Sequence, residues 1–416
     1  MSCITDEKFA VAYYTSNRKT GSISIVDFAG GKHTVTRLPV AAETGLAKEL
    51  KPLLVGLTES RQVILLDPKT KKIQIQPALP ADAFPAHIYT DSQSGRDWFM
   101  NDGDKETGND VLNCGDKGSS VTIIENTASN SARYLQTLCV GRGHHQANFS
   151  YPSPQAPAVP RQAYISNLKD GTLSVIGNDP ARASDYLQVL ATINLAEIER
   201  EEGMTAPAVP NNSFPHGLVY SQVSGKVYNL NNGYGTVAVI DPHTHQIEQR
   251  LGFKGHSNLL ITPDGRFIIG RGADRKSDPA HVLANLTVMD AAMLAVVDKQ
   301  LLKDIYISKY FFNAEGSKLY LTTGVSGSDE QVANIKGDAL LVFDLTGLPT
   351  LRLKKELRLG ASSGSIDFLV RDGKTRLVLS SNSELGTLTV IDAVSDEILE
   401  TVHVGDSASH SRVWVL

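Results

Sequence analysis

The sequence predicts an all-β chain folded as an eight-bladed β-propeller, with seven blades as the alternative. The first observation is a short pattern that recurs eight times: a small or polar residue, apolar residues around one variable position, then usually an acidic residue. The copies are SISIVD (22–27), QVILLD (62–67), SVTIIE (120–125), TLSVIG (172–177), TVAVID (236–241), LTVMD (286–290), LLVFD (340–344) and TLTVID (387–392). Their last residues lie 40 to 64 residues apart, close to the roughly 40–50 residues of a propeller blade plus its loops.

The second observation is the frame around each copy. A β-type run precedes it, and a turn with a further β-type run follows it, as in DPHTHQIEQRLGF (241–253). In several units another strand stands in front and ends in a hairpin turn, such as the Asp264-Gly265 turn of SNLLITPDGRFIIG. Four antiparallel strands in each unit are typical of a propeller blade.

The two chain ends provide the third observation. The chain begins with the second strand of a unit, FAVAYY (9–14), and ends with VWVL (413–416), which no strand follows. Docking the last segment against the first completes blade one and removes exposed strand edges. Because no Pro/Gly/Ser-rich linker divides the copies, we predict one domain over residues 1–416 rather than two separate β domains.

The segments between strands divide into one helix and several loops. LAEIEREEG (195–203) is the only segment with a helical pattern, and the proline-rich stretch 151–160 is interpreted as an inserted loop. Three long loops are expected to emerge on one face, that of the central channel mouth: 102–118, 271–284 and 324–338. Long loops on a rigid scaffold are a usual location for function.

Composition excludes several classes of protein. With 40 basic and 45 acidic residues and a net charge of −5, nothing favours nucleic acid or an anionic membrane as a partner. No apolar run approaches the ~18 residues of a membrane span, and no secretory signal is visible at the start. Cys3, Cys114 and Cys139 form no CxxC pair and imply no disulfide framework, so Cys139 is expected to be packed on an outer strand.

The histidines carry the functional prediction. Counting back from the second strand of each unit places His87, His216 and His256 at one template position, and His145 and His410 join them through the inserted loop and the closure of blade one. This position opens the innermost strand, at the mouth of the channel. Converging neutral imidazoles are suited to Zn²⁺ or copper, although hydrogen bonding to buried water is the simpler alternative. Blades two, seven and eight lack such a histidine and are expected to leave an open sector.

Further residues are predicted near this site. His144, His281, Asp102 and Asp104 are candidate additional ligands or orienting groups, and Arg142, Lys254, Arg271 and Arg275 are candidate anion-binding residues, with a scattered surface charge as the alternative. His33, His243 and His245 are expected in turns on the opposite face, and His403 on an outer strand. A nucleophile elbow, a P-loop and a GxGxxG after a strand are absent from the sequence.

Two segments carry a resemblance to known propellers. The chain resembles the YVTN-type propellers related to the haem d1 domain of cytochrome cd1 nitrite reductase and to nitrous oxide reductase; HIYTDSQSGRDWFMND (87–102) is similar to a copper-binding stretch of the latter. PAHIYTDSQSGRDWFMNDGD (85–104) and GRGHHQANFSYP (141–152) also resemble periplasmic propeller zinc chaperones that serve bacterial zinc importers. The double-histidine motif of nitrous oxide reductase and the histidine-rich acidic loop of many zinc chaperones are missing.

Three functions remain open. The first, which we favour, is a zinc or copper carrier that delivers its ion to an acceptor protein. The second is an oxidoreductase with copper or, less favoured, haem d1 at the same site and electrons from another protein; the sequence leaves catalysis open. The third is a protein-interaction scaffold. The resemblance implies a periplasmic location.

Overall fold

The computed structural model describes residues 8–16, 21–40, 48–50, 54–57, 62–66, 70–76, 85–101, 114, 119–127, 131–408 and 410–416; at His144, His145 and His410 it describes the backbone. Its strands pair into eight four-stranded sheets, and each strand runs antiparallel to its neighbours. We number the sheets in chain order and give the strands of each sheet from its innermost to its outermost member.

The first four sheets cover the N-terminal half of the chain. Sheet one is β32 (His410–Val415), β1 (Phe9–Ser16), β2 (Gly21–Ala29) and β3 (Lys32–Val40); sheet two is β4 (Lys48–Leu50), β5 (Leu54–Leu57), β6 (Gln62–Leu66) and β7 (Ile73–Gln76); sheet three is β8 (Pro85–Asp91), β9 (Arg96–Asn101), β10 (Ser119–Thr127) and β11 (Ser131–Val140); sheet four is β12 (His144–Ser150), β13 (Gln162–Asn167), β14 (Thr172–Gly177) and β15 (Val189–Asn194).

The other four sheets follow the same plan. Sheet five is β16 (Pro215–Ser221), β17 (Lys226–Asn231), β18 (Thr236–Ile240) and β19 (Ile247–Gly252); sheet six is β20 (Asn258–Ile261), β21 (Phe267–Asp274), β22 (Leu283–Asp290) and β23 (Ala295–Lys303); sheet seven is β24 (Ile307–Phe312), β25 (Lys318–Thr323), β26 (Ala339–Asp344) and β27 (Arg352–Arg358); sheet eight is β28 (Ser363–Arg371), β29 (Lys374–Asn382), β30 (Thr387–Asp392) and β31 (Glu397–His403).

Burial along the strands explains why the sheets pack face to face. Every residue of β13 and β14 is buried, whereas the outermost strand β15 alternates between exposed and partly buried positions. A middle strand is apolar on both sides because it is covered by a neighbouring sheet on each side, so it shows a continuous apolar run. The recurrent pattern in the sequence is the third strand of each sheet.

The hydrophobic core consists of clusters between neighbouring sheets. Such clusters join sheets three to four, four to five, five to six, six to seven, seven to eight, eight to one and one to two. Sheets two and three touch through β4, β5 and β8. Each sheet therefore packs on the next and the last packs on the first, which closes a ring and confirms the all-β propeller class.

The C-terminal strand closes sheet one as the sequence predicts. Strand β32 pairs with β1, with Trp414 opposite Ala12 and Val413 opposite Tyr13. The innermost strand of sheet one therefore comes from the end of the chain, and the other three strands come from its beginning.

Two expectations about the connections are wrong. Residues 195–203 form only a 3₁₀ turn at Ile198–Arg200, because Glu197 is buried and bound to Arg200 and Thr236. A true α-helix, α1 (Asp329–Asn334), lies instead in the loop between β25 and β26. Among the described residues, no helix has the length and apolarity needed to span a membrane.

The cysteine prediction is also corrected. Cys114 and Cys139 form a disulfide, with their Cα atoms 5.5 Å apart and a sequence separation of 25. Cys139 lies near the end of β11, and Cys114 belongs to the connection that leads into β10, the strand beside it. The sheet therefore brings together two cysteines whose spacing in the sequence shows no motif.

Candidate functional site

A bulge opens the innermost strand in most of the sheets. The pairing between the innermost and second strands shifts by one residue there in sheets three, four, five, seven and eight: between Pro85 and His87, His144 and Ala147, Pro215 and Leu218, Ile307 and Lys309, and Ser363 and Ser365. The residue before each bulge pairs with the last residue of the second strand. Bulges re-aim side chains at the ends of strands and are frequent beside functional sites.

The bulge shows which histidines are equivalent. His145 and His216 occupy the same place inside the bulges of sheets four and five. His87 is the first residue after the bulge of sheet three and pairs with Met100. His256 precedes β20, and His410 opens β32 opposite Ser16. The expectation of one shared template position is therefore wrong for His87 and His256. For His87, the spacing count aligned Trp98 with Val227, although the strand ends align Trp98 with Tyr228. For His256, the residue lies two positions before β20, outside any bulge.

His256 lies in the hydrophobic core, and both of its ring nitrogens form hydrogen bonds there. It is 6% exposed, its ring stacks on Phe253 at 4.2 Å between centroids, and burial lowers its pKa to about 4. Its Nδ1–H donates to the carbonyl of Phe253 at 3.2 Å, and its Nε2 accepts from the hydroxyl of Thr287 at 2.9 Å. Both ring nitrogens of the neutral imidazole are thus engaged within the protein.

His216 is half-buried beside the cation Arg271. Burial lowers the pKa of His216, and the positive charge of Arg271 lowers it further. The Nη1 of Arg271 donates to the carbonyl of Ile307 at 3.0 Å, and its guanidinium lies 5.9 Å from the ring centre of Tyr310. The Nε of Arg271 is buried and has no hydrogen-bond partner among the described residues, so this cation keeps a donor for a further group.

Two tyrosines extend this arrangement across the ring. Tyr310 lies beside Arg271 in sheet seven, and Tyr89 lies 6.4 Å from His87 in sheet three, measured between ring centres. Burial raises the pKa of Tyr89, and the hydroxyl of Tyr310 raises it further. We refer to His87, Tyr89, His216, Arg271 and Tyr310 as the channel cluster, because they come from four sheets around the axis of the ring.

Two cations that the sequence did not single out lie on the other side of the axis. The Nζ of Lys309 and the Nη1 of Arg412 both donate to the carbonyl of Gly364, the latter at 2.8 Å. Gly364 lies in the bulge of sheet eight, where sheets four and five carry His145 and His216. Lys309 follows the bulge of sheet seven, as His87 follows that of sheet three. The bulge position identifies Lys309, whereas Arg412 lies on β32, whose pairing with β1 has no bulge.

The other predicted anion-binding residues lie away from this cluster. Arg142 is neutralised by Asp170, with 2.7 Å between Nε and Oδ1. Lys254 and Arg275 line a cleft of about 1750 Å³ between the loop after β21 and the segment around α1, where Arg275 donates to the hydroxyl of Ser326 at 2.7 Å.

The remaining predicted residues are dispersed. His281 binds Asp304, with 2.7 Å between Nδ1 and Oδ1, and Asp102 and Asp104 lie outside the described residues. His144 opens β12, one residue before the bulge position. His243 and His245 line a separate cavity of about 300 Å³ with Gln162, and His33 pairs with Glu400. Within the part of the chain described above, no three histidine, cysteine, aspartate or glutamate side chains form a group able to hold a metal ion.

The fold and the site together define a β-propeller with histidines and cations at its axis. Solved structures of similar fold include NirN, a dihydro-heme d1 dehydrogenase in complex with DHE, at a TM-score of 0.59 and 13% identity over 96% of this chain and 74% of that one. Apo AztD from Citrobacter koseri matches with a TM-score of 0.57 and 11% identity over 98% and 99%. A protein from Lactobacillus plantarum matches with a TM-score of 0.54 and 14% identity, over 98% of this chain and 100% of that one.

These likenesses show the fold, a β-propeller, which is the fold that the resemblance in the sequence implies. No protein-family profile matches the chain, and no curated protein sequence matches it either.

Proposed function

We propose that this protein is a single eight-bladed propeller that carries a metal ion, Zn²⁺ or copper, at the mouth of its central channel. His87, His145 and His216 are the proposed ligands, with His410 as a fourth donor from sheet one. The observation that carries this proposal is their placement: three consecutive sheets present a histidine at the opening of the innermost strand, two of them at one bulge position.

The state of the imidazoles supports metal binding. A histidine must be neutral to donate a lone pair to a metal, and burial together with the charge of Arg271 lowers the pKa of His216. Four nitrogen donors, three from consecutive sheets and one from sheet one, match the four-coordinate tetrahedral geometry that Zn²⁺ prefers. His256 is not in the proposed set, because it would have to break its bonds to Phe253 and Thr287 first.

Transfer to an acceptor protein in the periplasm completes the proposal. The disulfide between Cys114 and Cys139 is typical of proteins from oxidising compartments. The resemblance of 85–104 and 141–152 to periplasmic zinc chaperones points the same way. The sequence contains no nucleophile elbow, P-loop or GxGxxG after a strand. A carrier is therefore the simpler interpretation.

An oxidoreductase holding copper or haem d1 is the second candidate. The cations Arg271, Lys309 and Arg412 near the axis favour it, because the carboxylates of a tetrapyrrole need cationic partners. A visible absorption spectrum of the purified protein separates the two candidates, since a zinc protein is colourless.

The test of the carrier is metal affinity by competition titration with a coloured chelator. At about pH 7.5, His87→Ala, His145→Ala and His216→Ala are each expected to weaken zinc binding by at least about tenfold, since each removes one nitrogen ligand. Affinity is expected to fall towards about pH 5, because protons compete for the imidazoles and the lowered pKa of His216 moves its protonation below about pH 6.5.

The control for this test is the double variant His243→Ala/His245→Ala. These residues line the cavity beside Gln162, so the variant should bind zinc as the wild type does. Equal zinc affinity in the wild type and in all three channel variants would refute the ligand assignment.

A further inference from the structure

The large cleft beside α1 has basic side chains from three parts of the chain. Lys254 belongs to the connection between sheets five and six, Arg275 to the loop after β21, and Lys299 to β23, the outermost strand of sheet six. All three are exposed. The loop after β21 and the segment around α1 each join a second strand to a third, so the cleft lies on the face of the ring where the channel opens.

No carboxylate among the described residues neutralises these three side chains. Lys254 and Lys299 have neither an ion pair nor a side-chain hydrogen bond there. Arg275 donates to the hydroxyl of Ser326 at 2.7 Å, and its guanidinium lies 5.8 Å from the ring centre of Tyr306. Both of these partners are uncharged, so three positive charges in the cleft are available to a ligand.

The acidic side chains of the cleft are placed differently. Asp274 is held within its own loop, where it accepts hydrogen bonds from the backbone of Lys276 and from Ser277. The hydroxyl of Ser277 lowers the pKa of Asp274, and the charge of Lys276 lowers it further, so this carboxylate and this lysine offset each other. Asp329 and Glu330 lie in the first turn of α1, on the other wall of the cleft.

Hydrogen bonds fix the distance between the two walls. The Nε2 of Gln331 donates to the carbonyls of Arg275 and Asp278, at 3.1 and 2.7 Å, and the hydroxyl of Ser328 donates to the carbonyl of Pro279 at 3.3 Å. Helix α1 is therefore fastened to the loop after β21, and no ion pair between described residues crosses the cleft. The acids of α1 leave the three cations unpaired.

The size and the remaining lining of the cleft suit a segment of polypeptide. Its volume of about 1750 Å³ exceeds the roughly 300–1,000 Å³ of small-molecule pockets. Asn285 lines it and is 8% exposed; its Oδ1 lies 3.3 Å from the hydroxyl of Thr287, but its Nδ2 has no partner among the described residues. Such an amide can donate to a main-chain carbonyl. Leu301, 60% exposed, adds apolar surface.

We infer that this cleft binds an acidic, extended segment of a partner protein. Carboxylates of the segment pair with Lys254, Arg275 and Lys299, its main chain accepts a hydrogen bond from Asn285, and an apolar side chain covers Leu301. Hydrogen bonds between charged groups are the strong ones, and acidic motifs are commonly recognised by clustered cations. This binding site is separate from the proposed metal site, so either proposal can fail without the other.

The test is the fluorescence anisotropy of a labelled glutamate-rich peptide with one central leucine, titrated with the full chain at about physiological ionic strength. Lys254→Gln, Arg275→Gln and Lys299→Gln are each expected to weaken binding about two- to fivefold, the effect of one exposed ion pair. The triple variant is expected to lose about tenfold or more, because the effects of separate sites add as free energies. Circular dichroism checks that the variants are folded.

The control is Lys374→Gln, which removes an exposed cation at the start of β29, outside the cleft, and should bind the peptide as the wild type does. Asp329→Asn removes a like charge and should leave binding unchanged or tighter. On peptide binding, hydrogen exchange is expected to slow in 273–283 and 326–331; protection confined to other segments would place the peptide elsewhere and overturn the inference.

Other outcomes would refute it as well. No binding by the wild type, or unchanged affinity in the triple variant, would mean that the three cations hold no acidic segment. An equal loss in Lys374→Gln would mean that general surface charge is responsible. Displacement of the peptide by an equal concentration of free glutamate would mean that the cleft holds a small anion. Weaker binding by Asp329→Asn would mean that α1 attracts the ligand through its acids.

Discussion

His216 and His256 show how the surroundings of one residue type decide its role. Burial lowers the pKa of each and so favours the neutral imidazole. Both ring nitrogens of His256 form hydrogen bonds, to Phe253 and Thr287, and its ring stacks on the buried ring of Phe253. His256 therefore belongs to the core between sheets five and six. His216 lies in a bulge at the axis, next to Arg271, whose buried Nε has no hydrogen-bond partner among the described residues.

The pKa of His256 leads to a prediction about stability. Its pKa of about 4 in the folded protein lies below the value of about 6.5 expected in the unfolded chain. Between these values the unfolded state binds a proton that the folded state does not, so the free energy of unfolding falls as pH drops from about 6.5 to about 4, by on the order of 3 kcal/mol. Urea unfolding across this range should show a shallower pH dependence for His256→Gln.

His403→Gln is the control for this measurement. His403 is exposed on β31, so its replacement removes a histidine without disturbing the core, and an effect seen for His256→Gln alone is assigned to burial. A His256→Gln variant as pH-dependent as the wild type would show that other groups cause the loss.

At this scale the sequence selects candidate residues, but it misplaces His87 relative to His145 and His216. His87, His145 and His216 were selected as candidates because each precedes a recurrent strand in the sequence. The bulge that offsets His87 from His216 changes no residue type, so a spacing count does not detect it. The pairing of Cys114 with Cys139 and the convergence of Lys309 and Arg412 on Gly364 depend on contacts between strands that only the fold brings together.

Helix α1 shows how an element can depend on a distant segment. It has six residues, too few to be stable alone in water. Ser328 and Gln331 form a capping box at its start. The Nε2 of Gln331, which is 2% exposed, also donates to the carbonyls of Arg275 and Asp278, at 3.1 and 2.7 Å. The helix is thereby fastened to the loop after β21, and the two together form the wall of the large cleft.

Gln331→Ala should therefore loosen two segments at once. The change removes the donor from both carbonyls, at a cost of about 0.5–1.5 kcal/mol for each hydrogen bond. Hydrogen exchange of the amides in 274–283 and 328–335 is expected to accelerate together, while exchange in the middle strands stays slow. Asn334→Ala is the matched control, because Asn334 is exposed and has a single bond to the loop, to Ala280 at 3.0 Å. Faster exchange confined to the helix in Gln331→Ala would contradict the coupling.

The elements that the sequence predicts well are those that repeat. The third strands whose side chains are described, such as β14, β18, β26 and β30, are largely buried on both sides, and the same apolar pattern occurs eight times in the sequence. Helix α1 occurs once and depends on Gln331 and a loop about 50 residues away, which no local pattern reveals. The segment 195–203 has a helical pattern, but Glu197 is fixed by Thr236 and Arg200 in a different conformation.

At the scale of the whole molecule, stability depends on closure of the ring. Val413 is completely buried in the cluster between sheets eight and one, and Trp414, 2% exposed, is in the cluster between sheets one and two. The two successive side chains of β32 point to opposite faces of the sheet, as they must in a strand. One short strand at the end of the chain therefore packs on both neighbours of sheet one.

Deleting residues 413–416 is expected to destabilise the whole ring. Replacing a buried tryptophan by alanine costs about 3–5 kcal/mol, so Trp414→Ala alone should lower the melting temperature clearly. The deletion also removes Val413 and the pairing with β1, which together approach the roughly 5–15 kcal/mol of net stability typical of a folded protein. Val394→Ala is the control, because Val394 is 73% exposed. Thermal unfolding followed by circular dichroism measures all three. A single transition at lower temperature is expected, because each sheet packs on both of its neighbours. A loss of cooperativity limited to sheet one would mean that closure is local. A deletion variant that melts at the wild-type temperature would mean that the ring is held without β32.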